Sequence, residues 1–202
     1  MIHWTQTLKE VIFTPCRCMR PFVCDGYPDS CQVLVVGQDA ATALPDDWWS
    51  FWDPECGFKE TCFESAYLKH RDRLKCANLV KERQSDTRRK FLNRITNNLK
   101  PQLKSIETNA SMGGDLRWNS NQEVIKVLLK GMDNLQAIIA YGKKAHKLVG
   151  RSGKLRCLIN LRDDAIYEID HFRKRGRKDA DRYEEIDFIC AEIKSRASEV
   201  GG

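Results

Sequence analysis

Residues 33–39 read V-L-V-V-G-Q-D: four apolar residues, a glycine, then an amide and a carboxylate. The apolar part is short, β-branched and unalternating, the pattern of a strand covered on both faces in a parallel sheet. The polar pair then falls where open α/β sheets take their ligands, beyond the carboxyl end of a strand. A lone glycine is not G-x-G-x-x-G, and no G-K-[ST] follows. Dinucleotide and Walker-type phosphate sites are therefore disfavoured.

Other segments carry the same strand signal. They are 103–107, 135–141 and either 155–161 or 165–169, one of which could be the hairpin partner of the other. Helical spacing appears between them. Residues 61–71 align Phe63, Tyr67 and Leu68, while Ser85 can cap a helix carrying Phe91, Leu92, Ile95 and Leu99 that stops before Pro101. Residues 123–132 and 179–196 repeat the pattern, the latter through Tyr183, Ile186, Ile189 and Ile193. Strands alternating with helices predict an α/β sandwich with a mainly parallel sheet. The 202 residues suit one domain, with 1–30 as an N-terminal helix and lead-in segment.

A hydrophobic fraction of 42% and five tryptophans argue for a packed core. The formal charge of +6 permits a nucleic-acid partner without demanding one. No run approaches the ~18 apolar residues of a membrane span, and M-I-H-W-T-Q-T-L-K-E has no signal-peptide pattern. The expectation is a soluble, cytoplasmic protein. Nine cysteines include a local group, Cys16, Cys18, Cys24 and Cys31, without C-x-x-C spacing. Reduced structural thiols are expected, and no metal.

The strand ends carry the chemistry. They read G-Q-D-A-A-T (37–42), E-T-N (107–109), I-I-A-Y-G-K-K-A (138–145) and E-I-D-H-F-R-K-R-G-R-K (168–178). Taken singly, each has an ordinary explanation. Asp39 can cap a helix, Asn109 can sit in a turn, and His171 can be a surface histidine. The run W-W-S-F-W (48–52) can be core packing, and a basic run can be a solvated face. His70 and His146 fall within helical patterns and receive no role.

Taken in order, Asp, Asn and His at successive strand ends beside a basic loop resemble the uracil-DNA glycosylase superfamily, over residues 31 to 195. G-Q-D matches the start of that family's G-Q-D-P-Y-H motif, T-N its base-reading asparagine, and the His171 region its H-P-S motif. The stretch R-P-F-V-C-D-G-Y-P (20–28) looks like divergent bacterial relatives, some linked to defence against phages with modified bases. The resemblance implies a three-layer α/β/α sandwich around a four-stranded central sheet, a DNA partner and no cofactor.

By the same resemblance, Asp39 would stabilise the sugar cation and position a water, and His171 would donate to the departing base oxygen. Asn109, with Gln38, would contact the everted base, and Phe51 or Trp52 would stack on it. Ala41 stands where the family's tyrosine excludes a C5 methyl group, so a C5-substituted pyrimidine should fit. Thr42 replaces the motif's histidine, and Phe172 and Arg173 replace Pro and Ser. Arg173, Lys174, Arg175, Arg177 and Lys178 would hold phosphates. Two other readings stay open: a non-catalytic nucleic-acid- or partner-binding member of the same fold, and a nucleoside hydrolase or transferase.

Overall fold

The computed structural model describes residues 3–12, 16, 20–39, 45–77, 82–111, 121–170 and 178–200. The first half runs α1 (Trp4–Val11), β1 (Phe22–Val23), β2 (Val33–Asp39), β3 (Trp52–Asp53), β4 (Gly57–Phe58) and α2 (Glu60–Cys76). The second runs α3 (Glu82–Leu99), β5 (Ser105–Ser111), α4 (Gln122–Gly131), β6 (Ala137–Tyr141), α5 (Lys143–Val149), β7 (Ile166–Ile169) and α6 (Asp179–Val200).

The main sheet has the order β1-β5-β2-β6-β7, and β3 pairs with β4 in a small second sheet. Strands β5, β2, β6 and β7 are parallel to their neighbours, whereas β1 joins β5 antiparallel through Phe22↔Thr108 and Val23↔Glu107. The expected mainly parallel four-stranded sheet is thus corrected to a mixed five-stranded one. β1 carried no sequence signal because two residues have no period.

Of the two candidates for the last strand, 165–169 supplies β7, and 155–161 instead contains a 3₁₀ turn at Arg156–Leu158. Ser85 does not cap α3, which begins three residues earlier at Glu82.

Strand β2 lacks alternation because both of its faces are covered. Val33 and Val35 join one apolar cluster with Phe91, Ile95 and Leu99 of α3 and Ile186 and Ile193 of α6. Leu34 and Val36 join the other with Leu8 of α1, Leu128 of α4 and Val149 of α5. None of these four β2 residues is more than 2% exposed. Burying each stabilises the fold by about 1.5–3 kcal/mol.

The connections explain where a ligand belongs. From β2 the chain crosses to β5 through α3, on one face of the sheet. It then returns past β2 to β6 through α4 and continues to β7 through α5, both on the opposite face. This arrangement follows from right-handed crossovers. The path reverses direction at β2, so the crevice at its carboxyl end is the topological switch point.

Candidate functional site at the strand carboxyl ends

Gly37 sits at this switch point because no side chain fits there. A Cβ built on it would meet the Tyr141 hydroxyl and, at 2.7 Å, Asn109 Oδ1. Gly37 and Asn109 are in register across β2 and β5, and Tyr141 closes β6 on the other side. Asn109 and Tyr141 are both fully buried. Asp39 ends β2 in register with Ser111, and Gln38 is half-buried between Gly37 and Asp39.

The Thr108–Asn109 pair divides its labour by strand alternation. Thr108 takes the opposite face, where its hydroxyl donates to the Pro21 carbonyl at 2.5 Å. Asn121, just before α4, donates from Nδ2 to the same carbonyl at 2.7 Å and to Thr108 Oγ1 at 2.6 Å. Both side chains are fully buried. They fasten the lead-in to β1 and the start of α4 onto β5, so Thr108 is a fixture and Asn109 faces Gly37.

A second fixture holds β6 and β7 together. Gly142 turns the chain from β6 into α5 with φ +88°, and its N–H donates to the Ile169 carbonyl at 2.9 Å. His146 Nε2 lies 2.8 Å from the same carbonyl and 3.1 Å from that of Ala140. Two carbonyl acceptors require Nε2 to carry the proton. His146, which received no role from the sequence, is therefore a positioning residue for these strand ends.

The expected residues are brought together unevenly. Gln38, Asp39 and Asn109 share neighbouring strand ends. Phe51 and Trp52 do not join them openly. Phe51 is 7% exposed and packs against Phe58 and Phe63, with ring centroids 6.3 and 5.5 Å away. Trp52 is 8% exposed, stacks on Trp48 at 5.9 Å and donates its indole N–H to Thr5 Oγ1 at 3.0 Å. Neither ring offers an open face to a base in this conformation. Ala41, His171, Arg173, Lys174, Arg175 and Arg177 lie outside the described residues, and Lys178 is exposed just before α6.

Sequence reasoning missed Tyr141. Its signal was a single aromatic closing an apolar strand directly before a turn glycine.

Of the cysteine group, Cys16, Cys24 and Cys31 belong to the core, and Cys18 lies outside the described residues. Cys24 and Cys31 are fully buried free thiols, and burial together with its contact to Cys31 pushes the Cys24 thiol well above its ordinary value. Burial, reinforced by the Asp47 charge, pushes Cys16 up to about 12. Such thiols are poor nucleophiles.

The fold and site define an α/β protein with a polar cluster at the switch point of its sheet. No protein-family model matches the chain, and no curated protein matches it. No helix among the described residues is long and apolar enough to cross a membrane.

Proposed function

We propose that the chain is a DNA glycosylase that hydrolyses the N-glycosidic bond of a deaminated or C5-modified pyrimidine, leaving an abasic site. One observation carries the reading: Gly37-Gln38-Asp39 and Asn109 occupy adjacent parallel strand ends, in register, at the switch point.

In the proposed reaction the bond between C1′ and the base nitrogen breaks, and its electron pair leaves with the base. Asp39 supports the positive charge on the sugar and takes a proton from the water that adds to C1′. His171 donates to the base oxygen and stabilises the leaving anion. Asn109 is fully buried, so it hydrogen-bonds the everted base, the only form in which the bond is reachable, only if the strand ends open beside it. Phe51 or Trp52 serves as platform only if the aromatic cluster opens. Ala41 leaves room for a C5 substituent, which suits defence against phages whose DNA carries modified bases. No cofactor is needed for this chemistry.

The test is abasic-site formation in plain, uracil-containing and C5-modified phage DNA. Wild type should produce abasic sites, and Asp39→Ala should slow this about 10²–10³-fold. Equal rates in the two proteins, or cleavage of free nucleosides with DNA left intact, overturn the reading. Ala41→Tyr should lose bulky C5-modified substrates while keeping uracil. Equal loss on both removes the proposed tolerance.

A further inference from the structure

Helix α2 lines a hollow of about 560 Å³ that the proposed catalytic site does not use. Its wall holds Lys69, His70 and Arg73, the hydroxyls of Thr61 and Ser65, and the Asp46 carboxylate. Lys69 and Arg73 are exposed, and no ion pair or side-chain hydrogen bond among the described residues engages either of them. They stand one helical turn apart. Like charges at that spacing destabilise a helix by about 0.2–0.5 kcal/mol, so this pair works against the element that carries it.

The position of the hollow in the fold gives these charges a partner. Helix α3 delivers the chain to the start of β5, so α3 begins on the side of the strand carboxyl ends. Helix α2 leads into that beginning through residues 77–81. Its first residue, Glu60, lies 3.8 Å from Lys100 beyond the far end of α3. The half of α2 carrying Lys69 and Arg73 thus flanks the carboxyl side of the sheet. Asp46, which also lines the hollow, follows Asp39 by seven residues. A second depression lined by Lys69, Arg73, Asp72 and Cys76 continues the hollow along the helix.

We propose that this hollow is a seat for DNA backbone phosphates next to the everted nucleotide, with Lys69 and Arg73 as the charges and His70 and Ser65 as hydrogen-bond donors. The proposal rests on the glycosylase reading for its partner, and it adds a contact surface separate from the basic run at 173–178. A phosphodiester fits this wall because it brings charge and acceptor oxygens without needing an apolar lining.

The experiment uses the full chain and a fluorescein-labelled duplex of plain DNA, with binding read by anisotropy over a series of salt concentrations. Lys69→Ala/Arg73→Ala should weaken binding about tenfold at low salt and flatten the log–log salt slope by about 2, the release expected for two lost phosphate contacts. Its melting temperature should hold or rise, since alanine favours the helix and the repulsion is gone. The control, Lys154→Ala/Arg162→Ala, removes two cations outside the hollow and should keep the wild-type slope.

Wild-type affinity and slope in the α2 variant overturn the inference and leave the glycosylase reading intact. Equal weakening in the control also overturns it, since only overall charge would then matter. Weakened binding confined to the α2 variant, in a protein that releases no base, supports the hollow and overturns the enzyme reading. A wild type that binds no DNA overturns both.

Discussion

A methyl group at position 37 would collide with the Tyr141 hydroxyl and Asn109 Oδ1, and both of those side chains are fully buried. Gly37→Ala should therefore destabilise the fold by about 1–3 kcal/mol, the usual range for overpacking a closed site. Urea unfolding checks this, and an unchanged midpoint would mean that the three strand ends are not in contact. The thiols give a second residue-scale expectation. Cys16, Cys24, Cys31 and Cys190 are buried, while Cys56, Cys62, Cys76 and Cys157 are exposed. Burial also pushes Cys190 up to about 12. Brief alkylation of the native protein followed by peptide mass spectrometry should label the exposed four and spare the buried four until denaturant is added. Native labelling of Cys24 would contradict its place in the core.

Between elements, α3 and α6 are joined by polar contacts as well as by their isoleucines. Arg94 donates to Asp187 from Nε at 2.6 Å and also from Nη2, and Asn98 Nδ2 donates to the same carboxylate at 2.6 Å. The Arg94 guanidinium beside it, helped by Asn98, holds the Asp187 carboxyl below its usual value. A carboxyl depressed in the folded state adds stability above its unfolded pKa, about 4, and loses it as pH falls through the lower folded value. Both side chains are about 40% exposed, so solvent screening keeps the contribution small. Asp187→Asn should lower the urea midpoint at pH 7, with the difference shrinking as pH falls below the unfolded carboxyl value. A difference that persists at low pH would assign the effect to packing instead.

At the scale of the whole molecule, α6 closes the face that β2, β6 and β7 turn toward α3. Ile186, Ile189 and Ile193 are at most 7% exposed. At about 1.5–3 kcal/mol each, their burial is comparable to the entire stability of a typical domain, about 5–15 kcal/mol. A chain ending at residue 178 should lose cooperative thermal unfolding and bind a hydrophobic dye. A sharp melt near the wild-type temperature would show that α6 is dispensable.

Local pattern reveals elements whose burial is periodic and long enough to read. The apolar run before Gly37 announced β2, and Phe91, Leu92, Ile95 and Leu99 announced α3, because side-chain spacing follows backbone geometry. β1, β3 and β4 are two residues each and have no spacing to read. The aromatic run at 48–52 was equally opaque. Hydrophobicity says that Phe51 and Trp52 lie against something, and only their packing on Phe58, Phe63 and Trp48 says against what.

The amino-acid sequence by itself determined the α/β class, most element positions and the polar residues that close β2, since these depend on local periodicity and composition; it ended β5 at 107, whereas that strand runs on to Ser111. Only the tertiary structure decided the strand order that sets Gly37 between Asn109 and Tyr141, the antiparallel edge at β1, and the hollow beside α2. Those features join residues tens of positions apart. Their pairing is fixed by which faces pack together, a choice made by the folded chain as a whole.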